Sequence, residues 1–123
     1  MVGTFKDLII WQKGLELSMK VRKLTSRYPI DERFGLVEQT NRSSNSVIAN
    51  IAESSGRYHY SDKIRVLYIS RGECFETQSH LSVAYNLGYL EKSDYDLLDI
   101  EYQGLAKGIN SYILSIRKSK STN

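Results

Sequence analysis

Few residues of this chain have the chemistry of a metal ligand or a nucleophile. The histidines are His59 and His80, and the one cysteine, Cys74, falls among apolar residues at helical spacing. No spacing brings together enough ligands for a zinc site. Neither a glycine-rich phosphate loop nor a nucleophile-elbow motif is present. The sequence therefore predicts no metal, no cofactor and no catalytic site.

One arginine stands where a core residue is expected. Arg71 falls between Leu67 and Cys74 on the apolar stripe of a predicted helix, and a buried guanidinium needs a carboxylate partner. Glu53 and Glu76 are the candidate partners. Such a pair could belong to a catalytic site, but ion pairs of this kind are more often structural. We predict a structural polar network of Arg42, Asn50, Glu53, Arg71 and Glu76.

Phosphate binding has more support in the sequence. Four cations recur along one flank of the first predicted helix: Lys13, Lys20, Lys23 and Arg27. Each could neutralise a phosphate and release counterions. Farther along, the segment RYHY at 57–60 places Arg57 beside aromatic rings on which bases could stack. The alternative is that the lysines form a solvated face and that the tyrosines anchor the loop to the end of the molecule.

The size and composition are those of one domain with a buried core. The chain has 123 residues, of which 41% are hydrophobic and 25% are charged. A lone cysteine cannot form an internal disulfide, which favours a cytoplasmic location. We expect no signal peptide and no membrane span, since no apolar stretch is long enough for either.

Charge is distributed unevenly along the chain. Residues 1–72 carry a net +5, residues 73–106 a net −6 and the remainder from Lys107 a net +4, within an overall +3. Such asymmetry favours an anionic partner or charge-complementary contacts between subunits. A solvated surface with no partner is the alternative that charge alone leaves open.

Helix signals recur along the chain. Thr4 has the spacing of a capping-box residue before the first helix, and Ser93 has it before the fourth. Pro29 should end the first helix, and Gly88 should end the third. The predicted helices span residues 5–28, 32–56, 61–87 and 94–117, with a frayed basic tail over 118–123.

Short connections imply that consecutive helices are antiparallel neighbours. The predicted fold is therefore all-α: a single-domain, antiparallel, up-down-up-down four-helix bundle. The core stripe of the third helix is predicted to comprise Ile64, Leu67, Cys74, Phe75, Leu81 and Tyr85. The fourth helix has a heptad seam of Leu98, Tyr102, Leu105, Ile109, Tyr112 and Ile116.

The second helix has a core face that is half built from small polar residues. Its members are Leu36, Val37, Thr40, Ser43, Ser44, Val47, Ile48, Ile51 and Ser54. Small side chains let neighbouring backbones come close, and the serine hydroxyls can bond to carbonyls one turn earlier. The face can therefore be buried without leaving polar groups unsatisfied.

The first helix carries a second apolar face beside its core stripe. Its residues are Leu8, Trp11, Leu15 and Met19. We interpret this face as a contact between subunits, because aromatic residues are enriched at interfaces. A wide core face that is covered within one chain is the alternative.

Three blocks of residues carry a family resemblance. The first is FKDL at 5–8 with WQK at 11–13; the second is Gln39, Arg42, Ser46, NIAE at 50–53 and GR at 56–57; the third is RG at 71–72, Glu76, Leu81, Ala84 and LGYL at 87–90. In these blocks the chain resembles the four-helix-bundle proteins encoded by intervening sequences of bacterial large-subunit ribosomal RNA. It departs at Ile48, where the family often has proline, and at Ser54, where it usually has glycine. Both departures should affect local helix geometry.

The resemblance implies a cyclic homopentamer and a relation to the accessory proteins of diversity-generating retroelements, which bind a reverse transcriptase and nucleic acid. We therefore expect a non-enzymatic, cytoplasmic accessory factor that binds RNA or DNA, for a reverse transcriptase or a ribosomal RNA intervening sequence. The residues expected to contact nucleic acid are Lys13, Lys20, Lys23, Arg27 and Arg57. The alternative is a protein-interaction scaffold with no nucleic-acid contact of its own.

Overall fold

Four long helices form the computed structural model, which describes the backbone of residues 3–122 and the side chains of residues 3–119. Helix α1 spans Ile9–Thr25, α2 spans Glu38–Gly56, α3 spans Tyr60–Asn86 and α4 spans Lys92–Thr122. No strand occurs among these residues. Each helix packs on the next, and α1 also contacts α4. The predicted all-α four-helix bundle is confirmed.

The chain enters α1 through a capped 3-10 turn. The amide of Thr4 donates to Asp7 Oδ2 (2.9 Å), and the amide of Lys6 donates to Thr4 Oγ1 (3.2 Å). The predicted capping box is therefore present, but it caps the turn Phe5–Asp7 and not α1 itself. Leu8 is extended (φ −71°, ψ 128°), so the α-helix begins at Ile9 and not at residue 5.

The first helix also ends earlier than predicted. α1 stops at Thr25, and the amide of Tyr28 donates to the Thr25 carbonyl (3.0 Å) in a tighter turn. This turn precedes Pro29, which disfavours helical geometry in the residue before it. Residues 26–28, which were predicted to belong to the first helix, therefore form a tighter helical turn and are not α-helical.

The start of the second helix is irregular. A 3-10 turn over Ile30–Glu32 and a wide turn over Arg33–Val37 come before α2. Gly35 lies outside helical geometry (φ −111°, ψ −107°) and interrupts the winding. The predicted start at residue 32 is therefore wrong, and regular helix begins at Glu38.

The connection from α3 to α4 follows the glycine signal. Gly88 has φ +83°, the left-handed conformation that glycine adopts without strain. The amide of Tyr89 then donates back to the carbonyl of Ala84 (2.9 Å). This is the pattern that closes a helix C-terminus, so Gly88 ends α3 as predicted.

The fourth helix is longer than predicted. It begins at Lys92, so Ser93 lies inside the helix and does not cap it. Lys92 instead pairs with Asp96 one turn later (2.6 Å). The backbone stays helical to Thr122, where the sequence predicted fraying from residue 118; Asn123 lies outside the described residues.

The small-residue face of α2 forms the centre of the bundle, as predicted. Its buried members are Thr40, Ser43, Ser44, Val47, Ile48, Ile51 and Ser54. The Ser43 and Thr77 hydroxyls bond each other across α2 and α3 (2.7 Å), and Ser70 donates to the Val47 carbonyl (2.7 Å). The hydroxyls are satisfied inside the core, which permits the close approach of the two helices.

The predicted stripes of α3 and α4 are largely buried, with one clear exception. Leu67, Cys74 and Leu81 have no exposed surface, and the heptad positions of α4 are buried except Tyr112, which is half-buried. Phe75, however, is 47% exposed, so its assignment to the core is wrong. It follows Cys74 directly, and adjacent helical residues point about 100° apart.

A glycine lets α1 lie against α2. A Cβ atom on the buried Gly14 would stand 2.5 Å from Ile48 Cγ2 and 3.6 Å from Leu105 Cδ2. Ile48 is a branched core side chain and has little freedom to move aside. The distance between the two helices therefore depends on the missing side chain at residue 14.

Gly14→Ala should destabilise the fold by about 1–3 kcal/mol, because the added methyl group overpacks against Ile48. Gly72→Ala is the matched control on α3, since a Cβ there would meet nothing within 4 Å. Alanine should stabilise that position by up to about 1 kcal/mol through its helix propensity. Urea unfolding measures both variants, and stabilisation of both would mean that α1 does not lie against α2 in this way.

Candidate nucleic-acid interface

The predicted cations of helix one line the boundary between α1 and α4, which we call the α1–α4 seam. Two depressions lie along it, of about 290 and 280 Å³. The first is lined by Lys13 and Glu101 with apolar and glycine residues, and the second by Lys20, Lys23 and Arg27 with Asp94. The structure therefore brings the four predicted cations of α1 to one seam.

A single carboxylate of α4 pairs with half of this set. Glu101, whose side chain is 16% exposed, pairs with Lys13 (3.3 Å) and with Lys20 (3.5 Å). Glu16 of α1 also contacts both lysines, at 3.8 and 3.4 Å. Burial would lower the pKa of Lys20, but the two carboxylates outweigh it and the pKa is raised. Lys20 is therefore charged, and both lysines already have carboxylate partners.

The other two cations differ. Lys23 and Arg27 are exposed at the C-terminal end of α1, and within residues 3–119 neither makes an ion pair with a carboxylate. They share the second depression with Asp94 and the apolar Leu97. This end of the seam holds the positive charge that a phosphate could meet.

Arg57 does not join the seam. It follows the C-terminus of α2 and pairs with Glu53, at the end of the bundle opposite Lys23. Beside it, Tyr58 is 90% exposed and meets the ring of His59 edge-on at 5.0 Å. Tyr58 therefore does not anchor the loop, and it leaves an aromatic ring in solvent.

Part of the predicted polar network forms between α2 and α3. Arg42 contacts Glu73 (3.3 Å) and Glu76, and His80 Nε2 lies 3.3 Å from Glu76 Oε2. Glu73 and His80 were not predicted members. Their spacing from Glu76, one turn before and one turn after, is the signal that could have found them.

Two predicted members of the network lie elsewhere. Asn50 donates to the Ser46 carbonyl within α2 (2.8 Å). Glu53 pairs with Arg57 one turn later on the same segment. Both residues therefore stabilise α2 locally and do not reach Arg42.

Arg71 pairs with neither Glu53 nor Glu76, which corrects the predicted ion pair. Its Nη1 donates to Asn110 Oδ1 on α4 (2.7 Å), and its guanidinium lies over the Tyr68 ring at 4.7 Å. The side chain is half-buried, so a carboxylate is not required. Sequence spacing alone could not show that Arg71 turns towards α4 and away from α2.

The second apolar face of α1 is covered in part within the chain. Leu8 and Trp11 pack against the core, and Phe5 meets Trp11 edge-on at 5.2 Å. Leu15 is half-buried, whereas Met19 is 52% exposed. For Leu8 and Trp11 these contacts favour the wide-core alternative; a subunit contact through this face stays a prediction.

The groups considered for catalysis and metal binding lie apart. Cys74 is fully buried, and burial raises the pKa of its thiol to about 12. Among the described residues, no three of the metal-binding types lie close enough to hold an ion. No helix in the described part of the chain has the length and apolar character to cross a membrane.

Fold and surface together define a small helical-bundle protein with charged interhelical grooves. The model of the family of 23S rRNA-intervening sequence proteins matches residues 6–111. The chain belongs to this family, as the resemblance in its three sequence blocks predicted. A relation to retroelement accessory proteins stays a prediction.

A solved structure has the same fold. It is described as a protein with unknown function from the S23 ribosomal protein family of Bacteroides thetaiotaomicron VPI-5482. The identity is 26% over 88% of this chain and 97% of that chain, with a TM-score of 0.80. No curated protein matches the chain in sequence. None of these descriptions names an activity.

The environment of His80 makes the stability depend on pH. Burial lowers the pKa of His80, and the Arg42 guanidinium lowers it further against the opposing effect of Glu73. The unfolded chain therefore takes up a proton at higher pH than the folded one. The contribution of neutral His80 to the free energy of unfolding is complete above the pKa of about 6.5 in the unfolded chain, and it is lost as the pH falls below that value.

His80→Gln should make the free energy of unfolding less dependent on pH between about pH 7.5 and 5.5, because an amide does not titrate there. The glutamine can still bond to Glu76. The wild-type chain, measured in parallel, is the reference for the slope. Urea unfolding across this range is the measurement; an unchanged slope in His80→Gln would contradict the assignment.

Proposed function

We propose that the protein is a non-catalytic, cytoplasmic accessory protein that binds nucleic acid through its phosphates. The observation that carries the proposal is the pair of exposed cations at the end of the α1–α4 seam where α1 terminates. Lys23, in the last turn of α1, and Arg27, two residues beyond the helix, line one depression, and neither forms an ion pair in the described part of the chain. Cations without a carboxylate partner can displace the counterions that are condensed on nucleic-acid phosphates, and the release of these counterions favours binding.

Two cations on one chain would give weak binding, so we propose that the chain acts as a homo-oligomer. A closed ring would repeat the Lys23–Arg27 pair around its circumference. Linked weak sites act together and raise the overall affinity far above that of one site. The family resemblance supports five subunits.

Binding of this kind should depend little on sequence. We expect Lys23 and Arg27 to contact backbone phosphates, and phosphate contacts carry no direct information on base identity. The family name associates these proteins with 23S rRNA intervening sequences. We propose RNA or DNA as the ligand and a reverse transcriptase as a further partner.

A protein-interaction scaffold is the second candidate, favoured by the apolar side chains beside the seam. Ile9, which lines the first depression, is 80% exposed, and Leu97, which lines the second, is 52% exposed. Lys13 also already pairs with Glu101. A protein partner could cover these apolar groups without contact to nucleic acid.

A salt titration separates the two candidates. The wild-type chain should bind labelled RNA and DNA at low salt, with an affinity that falls steeply towards physiological salt. Reversing both unpaired cations (Lys23→Glu with Arg27→Glu) should abolish most of this binding on every sequence. The matched pair Lys13→Glu with Lys20→Glu should weaken it less, because those lysines already pair with Glu101 and Glu16.

Fluorescence anisotropy gives the affinities, and thermal scans check that each variant remains folded. Absence of binding at low salt would leave the scaffold as the function. Equal losses in the two double variants would mean that the whole seam, and not its unpaired end, contacts the ligand.

Light scattering tests the oligomer. At micromolar concentration the chain should have about five times its monomer mass of 14.1 kDa. Met19→Glu should reduce this mass if the second face of α1 lies between subunits, because a charge replaces an exposed apolar side chain. Leu114→Glu, at a comparably exposed residue on α4, is the control. A monomer mass for the wild type would contradict the ring.

A further inference from the structure

A second groove, between α3 and α4, has lining chemistry unlike that of the seam. It is open to solvent and has a volume of about 470 Å³, which is within the range of small-molecule sites. Its lining residues are Arg71, Phe75, Gln103, Ala106, Lys107, Asn110 and Ser111. Two cations are present and no aspartate or glutamate is among these described residues, whereas both depressions of the seam contain a carboxylate.

The polar groups of this α3–α4 groove present donors. Asn110 Oδ1 accepts from Arg71, and Gln103 Oε1 accepts from Gln78 Nε2 at 3.3 Å. Each carboxamide oxygen therefore already accepts one hydrogen bond, and each NH₂ group has N–H donors to offer a ligand. The side chains of Arg71 and Lys107 contain hydrogen-bond donors and no acceptor atoms. A ligand for this groove must therefore be rich in acceptors and negatively charged.

Arg71 is held ready for such a ligand. Its bond to Asn110 and its position over Tyr68 fix the guanidinium, yet use one of its five N–H donors. The guanidinium of Arg117 lies over the same ring at 5.4 Å, which adds positive charge nearby. Within residues 3–119 no carboxylate forms an ion pair with Arg71.

The groove also contains an aromatic ring in contact with solvent. Phe75 is 47% exposed, although an apolar ring on a helix is more stable when covered. Nucleobases stack on such rings with any base identity. An exposed ring beside two cations combines the two features that a nucleotide requires.

We propose that the α3–α4 groove binds a nucleoside 5′-phosphate unit, free or within a single strand. Arg71 and Lys107 hold the phosphate, Phe75 stacks on the base, and the NH₂ groups of Gln103 and Asn110 donate to acceptors on the ligand. This site is separate from Lys23 and Arg27. It adds a base contact to the phosphate contacts of the proposed function and does not require them.

Ligand-observed NMR titrations of the full chain test the site. The probes are the four nucleoside 5′-monophosphates, the matching nucleosides and inorganic phosphate. Nucleotides should bind more tightly than either of the other two. Arg71→Gln and Lys107→Gln should each weaken nucleotide binding about tenfold, because each removes charge-assisted hydrogen bonds. Phe75→Leu should weaken it about fivefold or more through the lost stacking.

Arg65→Gln is the matched control: it removes one exposed arginine from α3 and should change nothing. Lys107 and Phe75 are exposed, so their variants keep the test open if Arg71→Gln fails to fold. No nucleotide binding at millimolar concentration would overturn the site. Equal binding of inorganic phosphate and nucleotide, or full affinity in Phe75→Leu, would also overturn it.

Short single-stranded oligonucleotides separate this site from the proposed function. If nucleotides bind but strands do not, the groove stands and the nucleic-acid function fails. If strands bind through Lys23 and Arg27 while nucleotides do not bind, the groove fails and the function stands.

Discussion

The architecture depends on one helix face made of small hydroxyl side chains. Ser43 of α2 bonds Thr77 of α3 at 2.7 Å, and Ser44 lies 3.5 Å from Ser18 of α1. These contacts bring both neighbours close to α2, while the hydroxyls satisfy one another and nearby carbonyls. Gly14 lets α1 come closer still. α2 thus holds α1 and α3 in close contact. The α1–α4 seam and the α3–α4 groove lie on the two flanks of α4.

The two flanks of α4 have different electrostatics because their side chains are paired differently. On the α1 flank, Glu101 pairs with Lys13 and Lys20. Lys23 and Arg27, farther along, have no carboxylate partner within residues 3–119. On the α3 flank, Arg71 is held by the amide of Asn110, and no carboxylate within residues 3–119 pairs with it. Net charge along the sequence cannot distinguish these cases. Ion pairing decides which cations are available to a ligand. We infer that each flank binds its ligand through the cations that have no carboxylate partner.

The fold followed from the sequence because its signals are local. Helical spacing marked the buried face of α2, and Gly88 marked the end of α3. The helix ends were less predictable, since the extended Leu8 and the irregular Gly35 follow from packing. The site was predictable in part. Lys13, Lys20, Lys23 and Arg27 share a seam as expected, but Glu101 pairs with residues far away in the chain, which periodicity cannot reveal. Contacts across the bundle likewise decide the partner of Arg71.

Photo-crosslinking tests the central claim, that nucleic acid meets the unpaired cations of the seam. The chain would be irradiated with 4-thiouridine-labelled RNA at low salt, digested and analysed by mass spectrometry. The account predicts adducts on the segment 20–28, which carries Lys23 and Arg27. Adducts confined to the exposed loop at 57–60, or no adducts at all, would contradict it.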